Sequence, residues 1–170
     1  MDIMNTFETD RLIMRPWRTD DAEALYKYAS DGRVSELALW PRHTSVEMSR
    51  EVIESFFMPN LLVFAIVLKD TGEPVGCIGI VPEGDEHYSV DIGEREVGYW
   101  IGHRYWGKGF TTEALRGLIG FCRNKIAKLL ITTDAGNYAS QCVAEKCGFI
   151  FVENYMYNGV ETKAYKLLLT

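Results

Sequence analysis

Arg95–Cys122 reads R-E-V-G-Y-W-I-G-H-R-Y-W-G-K-G-F-T-T-E-A-L-R-G-L-I-G-F-C, and the order of its parts decides the fold. A strand comes first, Glu94 to Ile101. Val97, Tyr99 and Ile101 alternate to one side, and Glu96, Gly98 and Trp100 to the other. A turn follows, Arg104-Tyr105-Trp106-Gly107-Lys108-Gly109. A helix from about Phe110 to Cys122 closes the stretch. Its Ala114, Leu115, Leu118, Phe121 and Cys122 share an apolar face, while Glu113, Arg116 and Arg123 share a polar one.

A glycine turn feeding a helix N-terminus suits an anion. The first helical N–H groups have no partner within the helix, and the macrodipole is positive there. Glycine admits positive φ and a close approach of backbone to phosphate. Glycines alone would equally serve a tight turn with no ligand. Arg104 and Lys108 each add a cation, which favours a polyphosphate. The Walker spacing G-x-x-x-x-G-K-[ST] is absent. A dinucleotide fingerprint is absent too, because no glycine follows Gly109 by three residues.

Outward from this stretch, Arg11–Trp17 reads as a first strand. Asp20 and Glu23 form a capping-box pattern for a helix that Asp31-Gly32 ends. Leu37–Ser45 reads as a loop broken by Pro41. Thr44 and Glu47 open a second helix, running to about Phe57. Leu61–Lys69 is a strand apolar on both sides, hairpinned through Asp70–Glu73 to Pro74–Val81. Pro82–Gly93 carries Gly84-Asp85-Glu86 and reads as a mobile hairpin loop. After the central stretch come a strand at Lys128–Thr133, a loop at Asp134–Asn137 and a helix from Tyr138 to Cys147, capped by Gly148. Two strands hairpinned by Asn158-Gly159, Phe149–Tyr157 and Glu161–Leu169, complete the chain.

The 170 residues suit one domain, 1–170, with a sizeable core. Apolar residues make up 47% and charged residues 25%, ordinary for a globular protein. No apolar run approaches the ~20 residues of a membrane span. Met1–Asp10 lacks the basic and apolar regions of a signal peptide, so a cytoplasmic location is the expectation. A net charge of −6 disfavours nucleic acid and mildly suits a cationic acceptor. Cys77, Cys122, Cys142 and Cys147 show no C-x-x-C pairing and read as buried free thiols. His43, His87 and His103 are scattered, so no metal site is expected.

Arg104-x-x-Gly107-x-Gly109 resembles the [RQ]-x-x-G-x-[GA] pyrophosphate loop of the GNAT superfamily of acetyl-CoA-dependent N-acetyltransferases. The longer string, Gly98–Ile101 through Trp106–Gly109 to Thr112–Leu115, is similar to the subfamily of ribosomal-protein N-terminal acetyltransferases. The Thr9–Trp17 and Asn137–Phe149 segments agree with that subfamily, and the element order β-α-α-β-β-β-α-β-α-β-β agrees with the GNAT fold. The resemblance implies an α+β fold: a mixed, mostly antiparallel sheet of about seven strands, splayed in the middle and flanked by about four helices.

It implies acetyl-CoA as co-substrate and a primary amine as acceptor, either a protein N-terminus or a small amine. Val97, Gly98, Tyr99 and Ile101 would pair with the pantetheine arm. Arg104, Trp106, Gly107, Lys108, Gly109, Phe110, Thr111 and Thr112 would hold the pyrophosphate, and Asn137 the arm. A backbone N–H near Gly98–Tyr99 would stabilise the oxyanion. Glu96 is the candidate base, with Glu94 its competitor on the same face and a solvated or ion-paired glutamate the bland alternative. The family's usual tyrosine acid falls on Ala144. Ser140, in the pattern Asn137-Tyr138-Ala139-Ser140, is the candidate at the thiol, with Tyr138 as an alternative. Trp40 and His43 are candidate substrate contacts beside their reading as loop packing. No cysteine stands out as a nucleophile, so direct attack in a ternary complex is expected. An acyl-CoA sensor without turnover is the alternative that Ala144 keeps open, and a protein using the turn for ATP or NAD fits the glycine spacing worst. A homodimer is compatible with the sequence, which leaves the oligomeric state open.

Overall fold

The described residues form eight strands: β1 (Phe7–Glu8), β2 (Leu12–Pro16), β3 (Val63–Leu68), β4 (Pro74–Ile80), β5 (Glu94–Ile101), β6 (Lys128–Asp134), β7 (Ile150–Tyr157) and β8 (Val160–Leu168). Five helices accompany them: α1 (Ala22–Ala29), α2 (Gly32–Ala38), α3 (Val46–Val52), α4 (Phe110–Cys122) and α5 (Tyr138–Lys146). The computed structural model describes residues 5–38 and 40–169. Met1–Met4, Leu39 and Thr170 lie outside the described residues, and with them part of the N-terminal reading and one position of the expected 37–45 loop.

The strands form one sheet in the order β1-β2-β3-β4-β5-β6-β8-β7. Among the described residues every neighbouring pair is antiparallel except β5 and β6. Each face carries its own core. On one face α4 lays Ala114, Leu115 and Leu118 against Met14, Phe64, Ile66 and Ile78. On the other, Leu25 and Ala29 of α1, with Ile53 after α3, cover Val63, Ala65 and Val67. β3 therefore has no polar side, as its unbroken apolar run requires. Each fully buried leucine contributes roughly 2 kcal/mol, so the α4 face alone anchors that helix firmly.

The parallel pairing of β5 with β6 covers only Glu94–Glu96 against Lys128–Leu130. Beyond Glu96, β5 stays on β4 as far as Ile101, and β6 stays on β8 as far as Asp134. The two strands part, and the sheet opens between them. Backbone alternation then decides which groups face the gap. The Val81 N–H donates to the Glu96 carbonyl at 2.8 Å, and the Gly102 N–H to the Val75 carbonyl at 2.8 Å. Gly98 and Trp100 share that phase and bond to β4. The main-chain groups of Tyr99 turn into the gap, where no strand meets them.

Several local expectations need correction. β1 and α2 bring the described residues to eight strands and five helices, close to the seven and four expected, but the sequence reading includes neither element. Gly32 opens α2 instead of ending α1, so Leu37 and Ala38 are helical and not part of a loop. Ser45, not Thr44, caps α3, its side chain accepting the Met48 N–H at 3.0 Å. α3 then widens into a π-turn over Ile53–Phe57. Asp21, not Asp20, precedes α1, and its carboxylate takes the Arg18 N–H at 2.8 Å and the Arg15 guanidinium. Asn158 and Gly159 both have positive φ, 48° and 79°, as a tight β-hairpin turn demands.

Candidate active site

The gap between β5 and β6 is the floor of a cleft of about 470 Å³. Val97–Ile101 form one bank and Ile131–Asp134 the other, and the N-terminal turns of α4 and α5 close one side. Val34, Leu37 and Ala38 of α2 also line it, so the helix that the sequence reading passed over is a wall of the site.

At the α4 end the chain enters the helix through Gly107 (φ 73°) and Gly109 (φ 79°). An L side chain in that conformation costs roughly 1–2 kcal/mol, so glycine is required. Gly109 is the N-cap and has no side chain to satisfy the helix amides. The Glu113 N–H is the first to return, to the Gly109 carbonyl at 3.0 Å. The amides of Phe110, Thr111 and Thr112 precede it, and those residues line the cleft. Arg11 braces this turn from the loop before β2. Its guanidinium holds the Lys108 carbonyl at 3.1 Å and the Glu113 carboxylate at 2.7 Å, and lies 4.2 Å from the centre of the Phe110 ring. Burial works against ionising Glu113, but hydrogen bonds from Thr9 and Arg11 outweigh it and hold the carboxyl below its ordinary range.

Trp106 lines the cleft, and its indole N–H donates to the Ile101 carbonyl at 2.9 Å. Arg104 and Lys108 do not line it. They are exposed, 5.3 Å and 5.8 Å from the centre of the Tyr105 ring. The lysine that does line the cleft is Lys146, at the end of α5.

At the other end, Glu96 is buried on the cleft floor with three donors around it. The His87 N–H reaches Oε2 at 2.7 Å, His87 Nδ1 reaches Oε1 at 3.0 Å, and the Thr132 hydroxyl reaches Oε1 at 2.6 Å. Its ion-pair partner is thus a loop histidine. His87 belongs to the 82–93 loop, which is tied to β7: the Tyr155 hydroxyl donates to the His87 carbonyl, and the Tyr88 hydroxyl bonds Glu153. The hydrogen bond to Glu96 raises the His87 pKa above its ordinary value against the opposing effect of burial. Burial, and then the Glu96 charge, pushes the Tyr155 hydroxyl up to about 12.

Glu94, the competitor, does not line the cleft. Its carboxylate is held by the Lys166 ammonium at 3.0 Å and by the Asp91 N–H at 2.9 Å.

Ser140 lines the cleft on the first turn of α5, its hydroxyl 2.9 Å from that of Tyr99. Burial raises the Tyr99 pKa and keeps that phenol neutral, a donor. Asn137 caps α5, its side chain accepting the Ser140 N–H at 3.2 Å, and so fixes where Ser140 sits. Ala144 is wholly buried among core residues. Tyr138 is 73% exposed and does not line the cleft. Trp40 and His43 do not line it either. Trp40 packs edge-on against Trp100 at 5.5 Å, and His43, buried against Ser49 at 2.7 Å, has its pKa lowered by that burial. Cys77 and Cys122 are buried as expected, but Cys142 is exposed and lines the cleft. Among the described residues no cluster of three or more His, Cys, Asp or Glu could hold a metal ion, and no helix is long and apolar enough to cross a membrane.

Known proteins share both the sequence and the architecture. Residues 11–150 match the family described as acetyltransferase (GNAT) domain. The uncharacterized N-acetyltransferase p20 of Bacillus licheniformis is 33% identical over 122 residues, which span 69% of this chain and 66% of p20. A GNAT-family acetyltransferase from Bacillus anthracis superposes with a TM-score of 0.80 at 21% identity, covering 96% of this chain and 98% of that one. RimL, a ribosomal L7/L12 alpha-N-protein acetyltransferase solved with coenzyme A, superposes with a TM-score of 0.72 at 16% identity, covering 95% and 96%. Those two structural likenesses speak for the fold, and the family match adds the sequence: the chain belongs to the GNAT family of acetyltransferase domains.

Proposed function

We propose that this protein transfers acetyl from acetyl-CoA to a primary amine by direct attack in a ternary complex. The observation that carries the reading is the continuity of one cleft. It runs from the uncapped amides at the start of α4, along the unpaired main chain of Tyr99, to the Glu96 centre.

Each part has work that fits a phosphorylated thioester. The amides of Phe110–Thr112, set up by Gly107 and Gly109, are where a diphosphate finds donors and a positive dipole end. The extended edge of β5 offers N–H and C=O groups at the spacing that an amide-bearing arm can match, as an added strand does. The Tyr99 N–H is the group on this bank positioned to meet a carbonyl oxygen as it gains charge. Gly98, the other residue expected there, gives its N–H to β4. Asn137, Ser140 and the Tyr99 hydroxyl cluster on the opposite side, where a departing thiolate would find hydroxyl donors. The Glu96 centre supplies a sink for the proton that the amine must shed. The acceptor class is open between a protein N-terminus, since RimL is an alpha-N-protein acetyltransferase, and a small amine.

The test has two stages. Acetyl-CoA and CoA should raise the melting temperature while ATP and NAD do not, because a ligand that binds only the native state stabilises it. Free thiol should then be released when a panel of amines and N-terminal peptides is added. Absence of a CoA shift removes the reading. A CoA shift with no thiol release from any amine leaves an acyl-CoA-binding domain instead.

A further inference from the structure

We infer that the proton acceptor of this site is His87, with Glu96 positioning it through both carboxylate oxygens instead of taking the proton itself. The inference rests on the N-acetyltransferase reading and deepens it by assigning the base.

Access separates the two residues. The Glu96 side chain is 2% exposed and that of His87 43%. Both line the cleft, but three donors already surround the carboxylate, two of them from His87 itself. An amine entering the cleft meets imidazole before it meets carboxylate.

Chemistry then fixes the tautomer. An ionised carboxylate only accepts hydrogen bonds, so the Nδ1 that lies 3.0 Å from Glu96 Oε1 carries the hydrogen. In the neutral ring Nε2 is left with a lone pair, which is what a base needs. The ring cannot easily turn away. Its own backbone N–H is bonded to the same carboxylate, its carbonyl takes the Tyr155 hydroxyl, and its ring centre lies 5.2 Å from that of Tyr157 in a T-shaped contact. A carboxylate that orients an imidazole and stabilises its charged form is the arrangement a histidine base requires.

The step balances without any further reactant. The amine nitrogen forms the C–N bond at the thioester carbonyl carbon, whose oxygen takes the displaced electron pair beside the Tyr99 N–H. As the carbonyl reforms, the C–S bond breaks and its pair leaves on sulfur. The proton shed by nitrogen goes to His87 Nε2 and from there to water.

The surroundings set the pH at which this works. Asp85 and Glu86 of the same loop, Glu96 of β5, Thr132 of β6, and Tyr155 and Tyr157 of β7 surround the ring. None of them is a cation. The hydrogen bond to Glu96 comes first and the acidic charges add to it, so His87 keeps its proton to a higher pH than free imidazole. Turnover through neutral His87 therefore falls on the acid side, along a limb centred above the ordinary imidazole value of about 6.5.

The experiment is a pH profile of kcat/KM for wild type, His87→Gln and Glu96→Gln, with acetyl-CoA affinity measured alongside. His87→Gln should lose turnover by roughly 10²–10³-fold and lose the acid limb, with acetyl-CoA affinity within about twofold. Glu96→Gln should keep the limb but move it to lower pH, because the group that raises the His87 pKa is gone. Free imidazole should restore part of the turnover of His87→Ala, which a merely structural histidine would not allow. Nitrogen NMR of the wild-type ring should show the hydrogen on Nδ1 in the neutral form, a reading independent of turnover. The inference is overturned if His87→Gln keeps the acid limb, or if the neutral ring carries its hydrogen on Nε2. Wild-type enzyme that binds CoA but acetylates no amine removes the functional reading, and the assignment of a base goes with it.

Discussion

Glu94 and Glu96 lie two residues apart on one face of β5, and both are buried. Their neighbours differ because the sheet differs beneath them. Glu94 sits where β5 and β6 are zipped together, and it holds the Lys166 ammonium at 3.0 Å. Glu96 occupies the last paired position before the strands part, and its partners are a hydroxyl, a backbone amide and an imidazole. A lysine is a fixed cation at neutral pH, so the closed end of β5 carries a structural ion pair. An imidazole can gain and lose a proton there, so the open end carries a group fit for chemistry. The same residue on the same face takes its role from whether the neighbouring strand is present.

The largest effect that tests this contrast is on stability. Glu94→Ala leaves Lys166 about four-fifths buried with its counter-charge gone. Breaking such a pair from one side costs about 3 kcal/mol, because the remaining charge keeps its desolvation penalty. Urea unfolding should show that loss, while kcat of the folded protein stays within about twofold of wild type. Loss of turnover from Glu94→Ala protein that is folded by circular dichroism would break the division between a structural end and a chemical end.

The next effect sharpens the contrast by moving to the helix that crosses between the two strands. Gly109→Val puts a β-branched side chain at φ 79° on the α4 N-cap. The strain is roughly 1–2 kcal/mol, and the displaced amides should weaken acetyl-CoA binding by about tenfold, or about 1.4 kcal/mol. Calorimetric titration measures the binding loss. Arg104→Ala and Lys108→Ala should cost less than this, since neither side chain lines the cleft. An Arg104→Ala loss larger than that of Gly109→Val would mean that side-chain charge, and not the main chain, holds the phosphates.

These two ends also differ in how well sequence reveals them. The strand, turn and α4 are legible because their determinants are local: alternation, two glycines with positive φ, and an apolar stripe of helical period. What the sequence hides is made by meetings across distance. Lys166 reaches Glu94 from seventy-two positions away. His87 reaches Glu96 by folding an aperiodic loop back over β5, and no spacing rule announces that. The available signal was a histidine inside a loop, nine positions before a glutamate on the central strand. α2 was hidden because Gly32 reads as a stop, and β1 because two residues carry no period. Alternation also placed Glu94 and Glu96 together correctly but could not say which side of the opening each would occupy.

The smallest expected effect concerns the cysteine at the open end. Cys142 lines the cleft from α5 and is exposed, contrary to the buried thiol expected there. Direct attack and an acetyl-enzyme both need a group that takes a proton, so the two routes divide on what His87 serves. A cysteine nucleophile must be a thiolate and needs an activating base within hydrogen-bond reach. The cleft's histidine is bonded to Glu96 through Nδ1, and among the described residues it makes no hydrogen bond with Cys142. Cys142→Ala should therefore leave kcat/KM within about twofold and stability within about 0.5 kcal/mol, as for other exposed substitutions. Intact-mass analysis of wild-type protein incubated with acetyl-CoA alone, without an amine, checks the same point from the other side. A single unmodified species fits direct attack. An acetyl adduct that disappears in Cys142→Ala, together with loss of turnover, would move the chemistry from β5 to α5 and leave the Glu96–His87 pair as a loop fastening.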